Sequence, residues 1–219
     1  MTPAQIVTAA RRKYNSASST FFADAEIYDL IYQAELEIAT VTKCLEGRTV
    51  ISGGSVAGTQ SYAFPSGVLE LKRVEYDGTK LTPIDFRQDD ALTLADANAT
   101  AQGTPIYYYV WDSTIYFRPI PATSSEQIRL YYYKEPVAVT TASQTLEIPA
   151  LFHMSMVDRV VAELAAKDQN FETASYYMDL WENKHMPRIR AWGRKRRTGD
   201  AFNTVKDEAS LAGTILGAL

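Results

Sequence analysis

A single cysteine, Cys44, excludes an internal disulfide framework and any multi-cysteine zinc site, and it fits a reducing compartment. Histidine is almost as scarce. His153 and His185 have no ligand-like spacing, neither HExxH nor GxSxG occurs, and both histidines read as structural or surface groups. No stretch approaches the roughly 18 uninterrupted apolar residues of a membrane span. The opening MTPAQIVTAARRKYN lacks the apolar run of a signal peptide, so a soluble protein is expected. The glycine-rich loop Ser52–Gly58 lacks the Gly-Lys-Ser/Thr that completes a phosphate cradle and reads as a connector. The carboxylate pairs Asp89-Asp90, Glu35/Glu37 and Asp207-Glu208 read as ordinary acidic faces. Cys44, beside Lys43, reads as a packing residue whose thiolate that lysine could activate modestly. No catalytic residue, metal or cofactor is expected, and the chain does not read as an enzyme.

What is present is enough apolar residue, 46% of 219, to bury a core. Thr2-Pro3-Ala4-Gln5 predicts a helix start: Thr2 and Gln5 complete a capping box around Pro3, and the helix should run to about Tyr14. Ile27, Ile31, Ala34, Ile38, Val41 and Leu45 follow a 4-3-4-3-4 spacing, which predicts a long helix from an Asp24 cap to a Gly47 stop. Leu151, Met154, Val157, Val161 and Leu164 predict a third apolar stripe, after Pro149. Phe171, Ala174, Met178 and Trp181 predict a fourth, on a last helix that Pro187 should kink or break. The expected bundle core is therefore Ile27, Ile31, Ile38, Val41, Leu45, Val157, Val161, Leu164 and Trp181. Neither terminal helix pair can bury its stripe alone, so the two should pack together.

Between them the texture is β-like. Strands are expected at Val68–Tyr76 and Lys80–Ile84 around the turn Asp77-Gly78, then at Ile106–Trp111, Thr114–Arg118 and Gln127–Lys134, with a short helix over Phe86–Ala95. Tyr107-Tyr108-Tyr109 and Tyr131-Tyr132-Tyr133 place rings on both faces of their strands. That suits packing and subunit contact better than a base-stacking platform. The fold class is α+β: residues 1–47 and 146–197 form a helical bundle, 48–145 a β-rich insertion, and 198–219 an extended C-terminal arm.

Charge is unevenly spread. From Lys184 to Arg197 there are seven Lys/Arg and no acid, in a chain of net charge −4, which leaves −11 elsewhere. A basic helix end favoured by the C-terminal pole accounts for three or four of these cations; seven with an interleaved Trp192 point to a polyanion or an acidic partner. The candidate docking residues are Lys184, Arg188, Arg190, Trp192, Arg194, Lys195, Arg196 and Arg197, with Leu211, Ile215, Leu216 and Leu219 in the apolar tip LAGTILGAL. A polar tail with such a tip should order only on binding.

The stretch LEIPALFHMSMVDRVVAELAAKDQNFETASYYMDLWENK (Leu146–Lys184) and the hairpin WDSTIYFRPIP (Trp111–Pro121) resemble the head-to-tail adaptor (connector) proteins of tailed bacteriophages. The resemblance implies a structural virion protein, made in the host cytoplasm and located in the neck between head and tail. It further implies a ring, commonly of twelve copies, whose arms dock on the portal protein, whose β module meets tail, nozzle or fibre proteins, and through which DNA passes. Under this resemblance residues 188–197 and 211–219 correspond to the docking arm. The competing readings are non-specific nucleic-acid binding through the basic segment and a tail-completion or other neck protein.

Overall fold

A computed structural model describes residues 1–16, 21–95 and 101–198. The chain divides into two units, one from Met1–Leu45 together with the chain from Pro136 on, the other Glu46–Glu135. Helix α1 (Pro3–Lys13) begins with the full capping box: Gln5 N donates to Thr2 Oγ1, and Thr2 N donates to the Gln5 side chain. Helix α2 (Asp24–Thr42) carries Asp24 and Glu26 in its first turn, where negative charge offsets the exposed N–H groups. It stops five residues before Gly47, because Lys43 takes a left-handed conformation (φ 53°) and closes the helix through Ala39 O. Leu45 is still buried, but from the connector after the helix. Val41 is half-buried, and Thr42, its hydroxyl donated back to Ile38 O, takes the fully buried place.

The second unit comprises β1 (Glu46–Val50), β2 (Ser61–Ala63), β3 (Val68–Tyr76), β4 (Thr79–Lys80), β5 (Thr82–Pro83), α3 (Phe86–Ala95), β6 (Gln102–Gly103), β7 (Tyr107–Trp111), β8 (Thr114–Arg118), β9 (Ile120–Pro121) and β10 (Ile128–Lys134). Two four-stranded sheets, ordered β1-β10-β3-β4 and β2-β8-β7-β5, share one core. Val74, Tyr76, Ile128 and Leu130 enter it from the first sheet, and Tyr108, Ile115 and Phe117 from the second. Strands β6 and β9 form a separate parallel pair. Alternation sends Tyr108 inward, while Tyr109, on the other face, stacks on Tyr116 (4.9 Å) and meets Phe86 of α3 edge-on. Asp89 is no surface acid: it is 3% exposed and binds Arg118 through two hydrogen bonds of 2.6 and 3.1 Å, which ties α3 to β8. Burial, with Asp89 nearby, pushes the Tyr109 hydroxyl up to about 12.

Back in the first unit, a 3₁₀ turn (Ala150–Phe152) leads into α4 (His153–Lys167), followed by α5 (Phe171–Asp179), a π-helical segment (Leu180–His185) and α6 (Met186–Thr198). The buried face of α4 is Met156, Val157, Val160, Val161, Leu164 and Ala165, preceded by Phe152. Leu151 and Met154, expected on that stripe, are each 60% exposed: the segment is apolar on several sides, and the helix rotates to bury its β-branched side. Phe171 is likewise exposed, and no residue of α5 is fully buried. Asn170 caps α5 by accepting from Thr173 N. Pro187 does not break the helix. A proline ring collides with the carbonyl four residues back, and the wider π turn that precedes it relieves that conflict.

Helix α2 packs on α1, α4 and α6, and α4 also on α1 and α5. Ile27, Ile31, Ile38, Val157, Val161, Leu164 and Trp181 are all within 1% of complete burial; each such side chain contributes about 1.5–3 kcal/mol on leaving water. Trp181 keeps its N–H satisfied by donating to Glu37 Oε1 at 3.1 Å. Among these apolar groups lies Glu35, 1% exposed, accepting from Ile148 N at 3.4 Å. Burial raises its carboxyl to about 7, against the opposing pull of the Ile148 and Glu147 N–H groups.

Because the folded-state value lies above the unfolded one, Glu35 favours the fold while protonated, fully so below about pH 4.5. That contribution is lost as pH rises through about 7. Glu35→Gln keeps an acceptor and removes the titration. Chemical denaturation from pH 4.5 to 8 should show wild type losing up to about 3 kcal/mol relative to the variant; parallel pH profiles for the two proteins would refute this.

Candidate docking site

Helix α6 is basic on one side and seated on the other. Met186, Ile189 and Gly193, spaced 3-4, form its inner line, and Arg196, three residues on, is exposed at its end. Met186 and Ile189 are 2% and 1% exposed. Gly193 lies against the last turn of α2, where an added Cβ would stand 2.8 Å from Thr42 Cα, a backbone atom that has no rotamer to yield. Arg196 reaches past the end of α2 and donates to Cys44 O at 2.6 Å, with its guanidinium over the Trp192 ring. Trp192 in turn meets Phe152 edge-on at 5.2 Å. Its half-buried ring is therefore engaged from both sides by its own unit.

The segment expected to start a docking arm at Arg188 is thus a packed helix as far as Thr198. Its other described cations, Arg188, Arg190, Arg194 and Lys195, are exposed too, as is Lys184 of the π segment before it. Arg197 lies in the last turn of α6. The positive charge of this turn suits the carbonyl end of the helix. Leu211, Ile215, Leu216 and Leu219 lie outside the described residues, as does the chain from 199 on.

Both histidines are engaged. His153 is 5% exposed, its Nε2 2.9 Å from Ile148 O, and burial lowers its pKa from the usual value. His185 stands in a string: Ser155 Oγ is 3.0 Å from Nδ1, and Asp158 Oδ2 is 2.9 Å from Nε2. Asp158 also pairs with Lys13. Serine, histidine and aspartate in line are the components of a hydrolase relay. Here the adjoining cleft, lined by Leu151, Phe152, Arg188 and Ile189, has about 160 Å³, below the several hundred Å³ usual for ligand sites. The string joins α1, α4 and the π segment and acts as a clamp. Cys44 is buried, and burial pushes its thiol up, away from the reactive range. Among the described residues no cluster of three His, Cys, Asp or Glu is arranged to hold a metal.

Two surface features of the β-rich unit escape a reading of composition. Phe86 and Trp111 are exposed together, with their rings 4.9 Å apart. Arg48, Lys72, Arg73, Lys80 and Arg129 gather on one sheet face. They are scattered through the sequence, and only the alternation Arg129-Tyr131-Tyr133 hints at the face they share.

A family model described as the SU10 adaptor protein matches residues 1–205. No curated protein matches the chain.

Gly193→Ala would normally strengthen a helix interior by about 1 kcal/mol. At this contact the steric conflict dominates, so the substitution is expected to destabilise the protein by about 1–3 kcal/mol. Denaturant titration checks the sign; a more stable variant would mean that α6 is not seated on α2.

Proposed function

The chain belongs to the SU10 adaptor family of tailed-phage head-to-tail adaptors, and from that membership we propose that its copies form a ring joining the capsid portal to the tail, with DNA passing through the centre. Family membership carries interaction with portal and tail proteins and a place in the virion neck. No helix among the described residues is long and apolar enough to cross a membrane. In this reading α6 and residues 199–219 are the portal-docking element, and the β-rich unit meets tail, nozzle or fibre proteins.

The observation that carries the reading is the division of labour on α6. Its inner line is spent on the bundle, whereas Arg188, Arg190, Arg194 and Lys195, with Lys184 of the preceding π segment, stay exposed and lead into the segment ending in LAGTILGAL. A cationic collar with an apolar tip suits an acidic partner surface that has an apolar recess. Ring symmetry would repeat each modest contact, so that weak individual affinities combine into a durable joint. The exposed pair Phe86 and Trp111 suits a tail-side contact, since aromatic side chains are enriched in the buried centres of protein interfaces.

Deleting residues 199–219 is expected to leave the melting temperature within a few degrees and to abolish co-sedimentation with the portal. Arg188→Glu with Arg190→Glu should weaken portal binding by about tenfold or more at low salt, again with little effect on melting, because exposed charges add little to folding. Undiminished portal binding in both variants would overturn the docking assignment.

A further inference from the structure

The sheet β1-β10-β3-β4 turns one side to the core and leaves the other to solvent. Residues directly opposite in an antiparallel pair share a face. The register therefore builds three rows on the outer side: Val50–Arg129–Glu75–Lys80, Arg48–Tyr131–Arg73, and Glu46–Tyr133–Glu70. Lys72 sits where the register slips between Tyr131 and Tyr132 and reaches the same side, with its Nζ 3.2 Å from Glu46 and over the Tyr133 ring at 5.6 Å. The unit Glu46–Glu135 has eight Lys/Arg against eleven Asp/Glu. It is acidic overall, yet five of its eight cations lie on this face, beside three acids.

The arrangement is preset. Glu75, 4% exposed, pairs with Arg73, accepts from Arg129 at 3.1 Å and from the Tyr131 hydroxyl at 3.3 Å. One buried carboxylate thus holds two guanidinium groups at the surface. Arg73 also lies over the Tyr131 ring at 5.6 Å. Arg48 and Lys80 are exposed and make no ion pair among the described residues. A cleft of about 420 Å³ runs between Lys72, Arg73, Lys80 and Tyr131.

The occupant follows from what this face lacks. A protein interface needs a dry apolar centre; here both outward tyrosine rings are covered by cations, and Val50 at the corner is the single aliphatic group in the three rows. The same cations occupy one face of each ring, which leaves this side of the sheet better suited to phosphates than to stacked bases. A sugar–phosphate backbone asks for fixed cations alone. We propose that this face binds the phosphate backbone of nucleic acid without reading its sequence. The inference deepens the adaptor reading by naming a surface for the DNA it encloses, but the binding belongs to the single chain and requires no ring.

The test is fluorescence anisotropy of the full chain with a labelled duplex of about 30 base pairs, over roughly 50–200 mM salt. Wild type should bind with affinity that falls steeply with salt. Arg48→Gln with Lys80→Gln should weaken binding by about tenfold at low salt and reduce the log–log salt slope by nearly two, with melting unchanged. Wild-type levels of binding in that double variant, or no binding by wild type, would overturn the proposal. So would poly-glutamate competing as well as DNA at equal charge, which would make the occupant an acidic polypeptide. Loss of portal docking alongside intact DNA binding would count against the ring reading alone.

Discussion

The stripe of α2 is the constraint on which the first unit rests. Its isoleucines meet α4 and α6, which follow some hundred residues later in the sequence, and α1 closes the remaining side. No segment on either side of the β-rich insertion can bury its own apolar face. The bundle therefore exists only once both parts of the chain are present, and the insertion must begin and end without disturbing it. The pairing within the insertion meets that need: β1 and β10, its first and last strands, are antiparallel neighbours, with Glu46 opposite Tyr133. Both chain connections leave the β-rich unit from adjacent strands.

The same packing decides which charges are displayed. An amphipathic helix can expose a dense row of cations only if its other side is held firmly, and α6 is held by Ile189, by Gly193 against Thr42 and by Trp192 against Phe152. The outer sheet face obeys a related rule with different chemistry. There the cations are fixed by a buried carboxylate and two tyrosine rings, because a β-sheet offers no stripe of its own with which to anchor long side chains. Two cationic surfaces on an acidic chain are compatible because each is local. At physiological salt, exposed charges beyond about 8 Å are largely screened from one another.

Much of the architecture is legible in the sequence because it is written in local chemistry. Thr2 and Gln5 announce α1, Asp77-Gly78 marks the turn after β3, and α3 and β8 run over the ranges expected of them, Phe86–Ala95 and Thr114–Arg118. The errors have physical causes. The 3-4 spacing runs on to Leu45 although Lys43 has already closed α2. Leu151, Met154 and Phe171 fit a helical period as well as the residues that are buried, so periodicity cannot choose between faces of a helix apolar on several sides. Glu46–Val50 lacks apolar alternation and becomes a strand only because β10 pairs with it. The concentration of cations near the C-terminus is equally plain in the sequence. That Gly193 is there to admit the backbone of α2 is not, since nothing local distinguishes a glycine at a close approach from one at a helix end.

The polar string around the π segment now has a place in this scheme. Without the extra width of that turn, Pro187 would kink the helix and send α6 away from α2. A π turn has poorer internal hydrogen bonding than an α-helix and needs outside support. It has such support at both ends: Trp181 donates to Glu37 of α2, and His185 is bound by Asp158 and Ser155 of α4. Lys13 of α1 shares Asp158, so three helices converge on this one segment. The residues that most resemble a catalytic relay are thus those that set the direction of α6, and with it the direction in which the basic face points.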